Sequence, residues 1–149
     1  MTTYLVRPAR PADLKAVREL TRRVRREFHL AVRTQEQPGS GRAAELLWVV
    51  EAGRGEIVGC CGVREGESGV WQMHALYLAP AWRGFGLGRS LVEQAIRALQ
   101  QSAALRLECT VPVEMPEALS LLKRLGFAEN APSERTASLR LFKSLGRVS

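Results

Sequence analysis

Three glycines alternate with other residues in a loop between a proline-ended strand and an amphipathic helix: Gly84, Gly86 and Gly88. Glycine has no side chain, so it permits left-handed backbone and lets a ligand approach the main chain closely. The first turn of a helix carries unpaired N–H groups and a partial positive charge, which together bind anions such as phosphates. The loop therefore predicts an anion site, and a tight turn made by the glycines alone is the alternative interpretation.

The spacing of these glycines fits two common phosphate-binding patterns badly. A P-loop requires G-x-x-x-x-G-K-[ST], and no Gly-Lys pair occurs in the sequence. The dinucleotide fingerprint G-x-G-x-x-G follows the first strand of its unit, whereas the loop at 84–88 follows three or four predicted strands. A third pattern, R-x-x-G-x-G after a strand that ends in proline, does fit at Arg83, Gly86 and Gly88.

A histidine that is a candidate general base lies on the strand leading into this loop. Strand side chains alternate with period two, so His74 is expected on the same face as Gln72, Leu76 and Leu78. Imidazole changes protonation near neutral pH and can take a proton from a nucleophile. A histidine packed on the sheet with a satisfied hydrogen bond is the structural alternative. The other histidine, His29, is a weaker candidate at the end of a basic helix.

The composition bounds the class of protein. The chain has 149 residues, of which 46% are apolar and 25% charged, so we expect one globular domain over 1–149 and exclude a disordered or collagen-like chain. The first residues form no apolar stretch of the kind found in signal peptides, and eighteen apolar residues nowhere run together, so we expect a soluble, cytoplasmic protein without membrane attachment. Cys60, Cys61 and Cys109 lack metal-ligand spacing, which predicts reduced thiols and no metal. A cysteine nucleophile is a minor alternative.

Positive charge is concentrated near the start of the chain. Residues 1–42 contain ten Lys and Arg against four Asp and Glu, in a protein of net charge +7. Most of this excess lies on a predicted amphipathic helix, at Arg18, Arg22, Arg23, Arg25 and Arg26. A solvated helix face, attraction of an anionic cofactor or substrate, and nucleic-acid binding are the three interpretations. Aromatic residues make up only 6% of the chain and no nucleic-acid motif accompanies the charge, so nucleic acid is not expected.

The order of predicted elements indicates a mixed α/β fold. Hydrophobic periodicity and turn residues predict, in chain order, a strand at 4–9, a helix at 11–28, strands at 46–53, 56–65 and 70–80, a helix at 88–101, a strand at 104–111, a short helix at 114–127 and a strand at 137–145. The polar segment at 33–45 is predicted to be a mobile loop that can cover a site. We expect a mostly antiparallel sheet of six to seven strands with helices on both faces.

The stretch LYLAPAWRGFGLG, at 76–88, resembles the signature L-Y-V-x-P-x-x-R-G-x-G-x-G of the GNAT superfamily of N-acetyltransferases. The segments RPARPADLKAV and LLKRLGF are similar as well, so the resemblance covers most of the chain. It implies the GNAT-like fold, acetyl-CoA as cofactor, a pyrophosphate on the amides of 84–89, and a strand that splays from its neighbour to admit the pantetheine arm. The residues that it assigns to cofactor binding are Leu76, Tyr77, Leu78, Arg83, Gly84, Phe85, Gly86, Leu87, Gly88 and Arg89.

The sequence departs from the GNAT pattern at three positions that carry chemistry in the family. Gln72 stands where family members often have the glutamate that acts as general base. Met115 stands where they usually have asparagine, and Leu122 where they have the tyrosine that can protonate the leaving thiolate. Glutamine cannot accept a proton at neutral pH, so His74 is the candidate base, a water chain or no base at all being the alternatives, and Gln72 is a candidate to orient the amine or a water.

The function predicted from the sequence is transfer of an acetyl group from acetyl-CoA to a primary amine. The acceptor is expected to be a small molecule, an amino acid or a peptide, attacked directly in a ternary complex. The alternative is a catalytically weakened acyl-CoA-binding or regulatory protein of the same fold. A homodimer is a further expectation, because the family often dimerises.

Overall fold

A seven-stranded sheet with three helices forms the fold in a computed structural model, which describes residues 3–30, 38, 44–130 and 138–146. The strands are β1 (Tyr4–Pro8), β2 (Glu45–Ala52), β3 (Glu56–Glu65), β4 (Val70–Leu78), β5 (Arg106–Pro112), β6 (Ala128–Glu129) and β7 (Ser138–Ser144), and the helices are α1 (Leu14–Glu27), α2 (Leu87–Gln100) and α3 (Pro116–Arg124). The strand order is β1-β2-β3-β4-β5-β7-β6, and only β4 and β5 run parallel. The predicted mixed α/β, mostly antiparallel sheet is confirmed.

The helices cover both faces of the sheet. On one face, Val17, Leu20 and Val24 of α1 pack on a cluster that contains Val49 and Cys60. On the other face, α2 and α3 pack on the larger core. Along β2 and β3, the residues of this core lie next to those of the first cluster. Adjacent strand residues point to opposite faces, so this division follows from the period of two.

The start and the end of α3 lie at a proline and a glycine from which the sequence analysis predicted this helix. Pro116 occupies the first turn, where its missing N–H costs nothing, and Gly126 has a φ of +94°. The N–H of Phe127 donates to the carbonyl of Leu122 at 3.0 Å, and that of Gly126 donates to the carbonyl of Lys123 at 3.1 Å. These two bonds form a Schellman motif, which confirms the predicted helix end.

The structure differs from the predicted elements in two places. The two-residue strand β6 was not predicted, because so short a segment has no periodicity. Glu45 begins β2 rather than ending a loop. Apart from Pro38, Ala44 and Glu45, the predicted loop at 33–45 lies outside the described residues. Within the described ranges, no helix has both the length and the apolar character needed to cross a membrane.

A partly buried ion pair joins the first strand to the turn before α1. The Arg7 guanidinium donates to both carboxylate oxygens of Asp13, at 2.7 and 3.1 Å, and to Glu51 at 3.4 Å. The hydrogen bond from Arg7 holds the pKa of Asp13 below its ordinary value of 3.8. A lowered folded-state pKa stabilises the protein above the unfolded-state value, and this contribution is lost as the pH falls through the folded-state pKa.

Asp13→Asn is therefore expected to lower the free energy of unfolding at pH 7 by about 2–3 kcal/mol, since it leaves a mostly buried guanidinium short of a charged partner. Urea denaturation of variant and wild type should show this deficit shrinking as the pH falls below 3.8, the ordinary pKa of the carboxyl. The matched control is Glu19→Gln on the exposed side of α1, which should unfold like wild type. Equal midpoints for Asp13→Asn and wild type at pH 7 would contradict this account.

Candidate active site

The parallel strands β4 and β5 separate part-way along their length. They pair only from Val70 with Arg106 to Met73 with Cys109. Strand β4 then continues to Leu78 without β5, while β5 remains paired with β7 as far as Pro112. The separation opens a cleft in the sheet whose walls are main chain, and a splayed strand of this kind is what the resemblance implied.

The glycine loop at the end of β4 is shaped by two of its three glycines. Gly84 and Gly86 have φ angles of +87° and +77°, a conformation that other residues rarely adopt, and a Cβ at either would meet no atom within 4 Å. Gly88 is buried in α2, where a Cβ would lie 3.1 Å from Leu121 and 3.6 Å from Leu78. The turn explains Gly84 and Gly86, packing explains Gly88, and the open space beside the first two leaves room for a ligand.

The N-terminus of α2 emerges from this loop. Gly86 is the residue before the first turn, and no side chain within the described ranges caps the helix start. The N–H groups of the first turn therefore have no side-chain acceptor there and carry the positive end of the helix dipole. Arg89 is exposed beside them, and its Nε lies 2.6 Å from Glu93. The arrangement suits an anion bound at the loop.

Arg83, a predicted cofactor contact, is engaged with the protein itself. Its Nε and Nη2 donate to the carbonyl of Leu78 at 3.1 and 3.0 Å, and Nη2 also donates to Glu27 at 2.8 Å. Its guanidinium carbon lies 5.2 Å from the ring centre of Phe28, and its hydrogen bond lowers the pKa of Glu27. These contacts, here called the Arg83 clamp, tie the end of α1 to the end of β4.

Two cavities meet between the loop and the separated strands. The loop-side cavity, about 640 Å³, is bordered by residues 76–78, the glycine loop, the end of α1 and the start of α3. The strand-side cavity, about 590 Å³, lies between β4, β5 and the end of α1. The residues that line both are Leu76, Tyr77, Glu114, Met115 and Ala118. The two cavities therefore adjoin along these residues and form one groove. Glu114 is the acidic residue among those that both cavities share.

A β-bulge at His74 reverses the alternation of β4. In the register with β3, Gly62 pairs with Ala75 and Val63 with Met73, which leaves His74 without a partner position. Leu76 and Leu78 consequently pack against the α2 core, on the face opposite Gln72 and His74. The prediction that these four side chains share one face is therefore wrong for the two leucines. One inserted residue moves every later side chain to the other face.

The His74 ring lies on the wall of the strand-side cavity and is 7% exposed. Its Nε2 lies 2.7 Å from Oε2 of Glu45, but both ring nitrogens are buried and neither makes a hydrogen bond of good geometry within the described ranges. Gly62 makes room for the ring, since a Cβ there would lie 2.6 Å from its Cε1. The sequence analysis missed Glu45 because it is far from His74 in the sequence. The available signal in the sequence was Gly62 on the neighbouring strand, which indicates space for a ring and not which residue is its partner.

Gln72, the other predicted catalytic residue, lines the same cavity. Its Nε2 donates to Oε2 of Glu108 at 3.1 Å, and the second oxygen of Glu108 lies 3.0 Å from Arg106. The amide group is thus held by β5, across the last paired positions of the two parallel strands. Glu108 was a further residue that the sequence analysis did not single out.

The remaining predicted residues are accounted for by burial and exposure. The side chain of Tyr77 is buried under α1, where its hydroxyl accepts a hydrogen bond from Arg25 at 2.9 Å. Leu87 is buried in the core, whereas Phe85 is 66% exposed with its ring centre 6.4 Å from that of Trp82. His29 is exposed, lies two residues beyond the end of α1 with a φ of +57°, and lines neither cavity.

The three cysteines are free and buried. Burial raises the pKa of the Cys60 and Cys109 thiols to about 12 and raises that of Cys61 as well. Thiolates are the reactive form, so the geometry argues against a cysteine nucleophile. Among the described residues, no three His, Cys, Asp or Glu side chains gather as a metal site would require.

A sequence model of the acetyltransferase (GNAT) family matches residues 14–127, which include α1, the separated strands, the glycine loop and α3. The chain belongs to the GNAT family. The uncharacterized N-acetyltransferase YjgM of Escherichia coli K12 is 32% identical over 94 residues, which are 61% of this chain and 53% of YjgM. The chain thus spans about half the length of this curated relative.

Solved structures share the fold of this GNAT-family chain. A GNAT acetyltransferase from Staphylococcus aureus Mu50 superposes with a TM-score of 0.83 at 13% identity, covering 97% of this chain and 100% of the other. Spermidine N-acetyltransferase from Vibrio cholerae, in complex with CoA and spermine, gives 0.72 at 18% identity, covering 97% and 96%. N-acetylglutamate synthase from Neisseria gonorrhoeae, with CoA and N-acetyl-glutamate, gives 0.75 at 18% identity, covering 97% and 36%.

Proposed function

We propose that the chain is an acetyl-CoA-dependent N-acetyltransferase that transfers the acetyl group directly to a primary amine in a ternary complex. The observation that carries the proposal is the continuous groove that joins the left-handed glycine loop to the cleft between β4 and β5. Membership of the acetyltransferase family supports it. The acceptor is the amine of a small molecule, an amino acid or a peptide.

The residues present fit acetyl-CoA. The amides of 84–89, beside the open space at Gly84 and Gly86, would hold the pyrophosphate, and Arg89 would add positive charge. The main chain of residues 76–78 would hold the pantetheine arm, except that the Leu78 carbonyl already accepts two bonds from the Arg83 clamp. When bound, acetyl-CoA supplies an activated thioester carbonyl to the amine.

The proton of the amine needs an acceptor in the strand-side cavity. An alkyl amine with a pKa near 10.4 is mostly protonated at neutral pH, and the neutral form lies roughly 4 kcal/mol uphill. The His74 imidazole, on the wall of this cavity and 2.7 Å from the Glu45 carboxylate at Nε2, is the group proposed to accept this proton, through a water because both ring nitrogens are buried. Gln72, held by Glu108, orients the amine or a water.

The other groups of the groove have supporting roles in this proposal. Glu114, at the junction of the cavities, attracts the ammonium form of the acceptor to the place where the two substrates meet. Leu122 is fully buried and carries no proton, so water protonates the departing thiolate, whose basicity is moderate.

The test combines calorimetry with product analysis. Acetyl-CoA should bind the purified protein, and mass spectrometry should detect acetylated product and free CoA with at least one member of a panel of small amines, amino acids and peptides. Absence of acetyl-CoA binding would remove the proposal. Tight binding without product across the panel would instead favour the catalytically weakened, regulatory alternative.

A further inference from the structure

The charge of α1 is strongly one-sided. Its fourteen residues contain six Lys and Arg against two Glu. One of the two, Glu27, is engaged by the Arg83 clamp. The phosphates of a cofactor and the acidic groups of an acceptor are the two anions that this charge can serve, and the position of the helix relative to the cavities distinguishes them.

The end of α1 presents opposite charges to the two cavities. Glu27 and Phe28 line the loop-side cavity, where the cofactor is proposed to bind. Arg25 and Leu30 line the strand-side cavity, where the acceptor is proposed to bind. The end of the helix therefore presents a carboxylate to the loop-side cavity and a guanidinium to the strand-side cavity. A helix whose charge attracted the cofactor phosphates would present them the other way round.

Arg25 ends a row of arginines that runs along α1. Arg18, Arg22 and Arg25 have the spacing i, i+4, i+7, which places them on one side of a helix. Arg22 is exposed, Arg18 donates to the carbonyl of Pro38 at 3.1 Å, and Arg25 donates to Tyr77. In this cationic row Arg22 is exposed, and Arg25 lines the strand-side cavity.

Within the described ranges, the Lys, Arg, Asp and Glu residues that line the strand-side cavity are Arg25, Arg64 and Glu114, and Arg64 is paired with Glu45 at 3.3 Å. Glu114 lies at the junction with the loop-side cavity, where the amine must react. Arg25 lines the same cavity from α1. An acceptor with an amine at one end and acidic groups further along matches this order of charges, whereas a polyamine would place a second ammonium near Arg25.

We infer that the amine acceptor carries acidic groups beyond its reacting amine and that these lie along the cationic row Arg18, Arg22 and Arg25. The inference rests on the proposed acetyl transfer and adds the substrate class. Attraction between opposite charges raises the rate of encounter and is weakened by salt, so the preference should be visible in kcat/KM and should depend on ionic strength.

The experiment compares peptides that differ only in charge. Three tripeptides begin with alanine and continue with two glutamates, two glutamines or two arginines. A second comparison, of free glutamate with free glutamine, tests a small acidic amine. For the peptides, kcat/KM is expected to be about tenfold higher for the acidic than for the basic one at low salt, with the difference shrinking at high salt. A preference for free glutamate alone would assign the acidic groups to a small acceptor instead of a peptide.

Charge reversal at Arg22 tests whether the cationic row is the cause. Arg22→Glu should bring the ratio of kcat/KM between acidic and neutral peptides down by about threefold or more, whereas Arg54→Glu, in the exposed β2–β3 turn, should leave the ratio unchanged. An equal or higher kcat/KM for the basic peptide, or an unchanged ratio in Arg22→Glu, overturns the inference. Because the neutral peptide reports acetyl transfer itself, loss of the preference is distinguishable from loss of the proposed activity.

Discussion

Replacing Gly86 by glutamate should weaken binding of CoA by about 100-fold or more. Two effects act together at this position. A side chain is strained at a φ of +77°, and it enters the open space where the pyrophosphate is proposed to lie. A carboxylate there also repels the phosphates and competes with them for the N–H groups of the first turn of α2. Calorimetry with CoA measures the change directly.

The matched control for this substitution is Gly53→Glu in the β2–β3 turn. Gly53 also has a positive φ, +47°, and a Cβ there would meet no atom within 4 Å, but it lines neither cavity. The control should therefore lose similar stability and retain CoA affinity. If Gly86→Glu bound CoA like wild type, the loop would serve only as a turn and the proposed cofactor site would be wrong.

The second large effect is expected from His74→Asn, which should lower kcat by about 100-fold or more while leaving the affinity for acetyl-CoA unchanged. Asparagine keeps a polar side chain at this position but cannot take a proton from the amine, so the chemical step slows while cofactor binding does not change. Steady-state kinetics and calorimetry with acetyl-CoA on both proteins measure the two quantities.

Three further variants separate catalysis from packing at His74. Glu45→Gln keeps the shape of the partner and removes its charge, so it should lower kcat by a smaller factor. Gly62→Ala places a Cβ against the ring and should reproduce part of the loss by displacing it. His29→Asn changes the exposed histidine that lines neither cavity and should have no effect. An unchanged kcat in His74→Asn would exclude His74 as the base.

Local signals in the sequence were sufficient to predict much of this fold. The glycines at 84–88 and the cap at Gly126 reflect backbone conformations that few other residues tolerate, so they can be read without knowing what they pack against. The amphipathic helices and the succession of strands and helices along the chain follow from hydrophobic periodicity, which each segment carries by itself. The separation of β4 from β5 came from the resemblance alone, because no pattern in either strand indicates where pairing stops.

The groups around His74 were less predictable, because they depend on contacts between distant segments. The bulge is set by pairing with β3, and period-two alternation cannot anticipate an inserted residue. Glu45 reaches the imidazole only after β2 and β4 have both paired with β3. Arg83 was assigned to cofactor binding from the sequence, and its attachment to Glu27 could not be predicted because it requires the end of α1 to lie beside the loop.

The burial of Cys60, Cys61 and Cys109 also determines how the folded protein reacts with sulfhydryl dyes. Their side chains are at most 4% exposed, and burial keeps the pKa of each thiol above the range in which such dyes attack quickly. A chromogenic dye added during turnover should therefore titrate released coenzyme with little background from the protein. In denaturant the same three sulfhydryls become accessible, so pulse labelling counted by mass would report the unfolded fraction without an added probe.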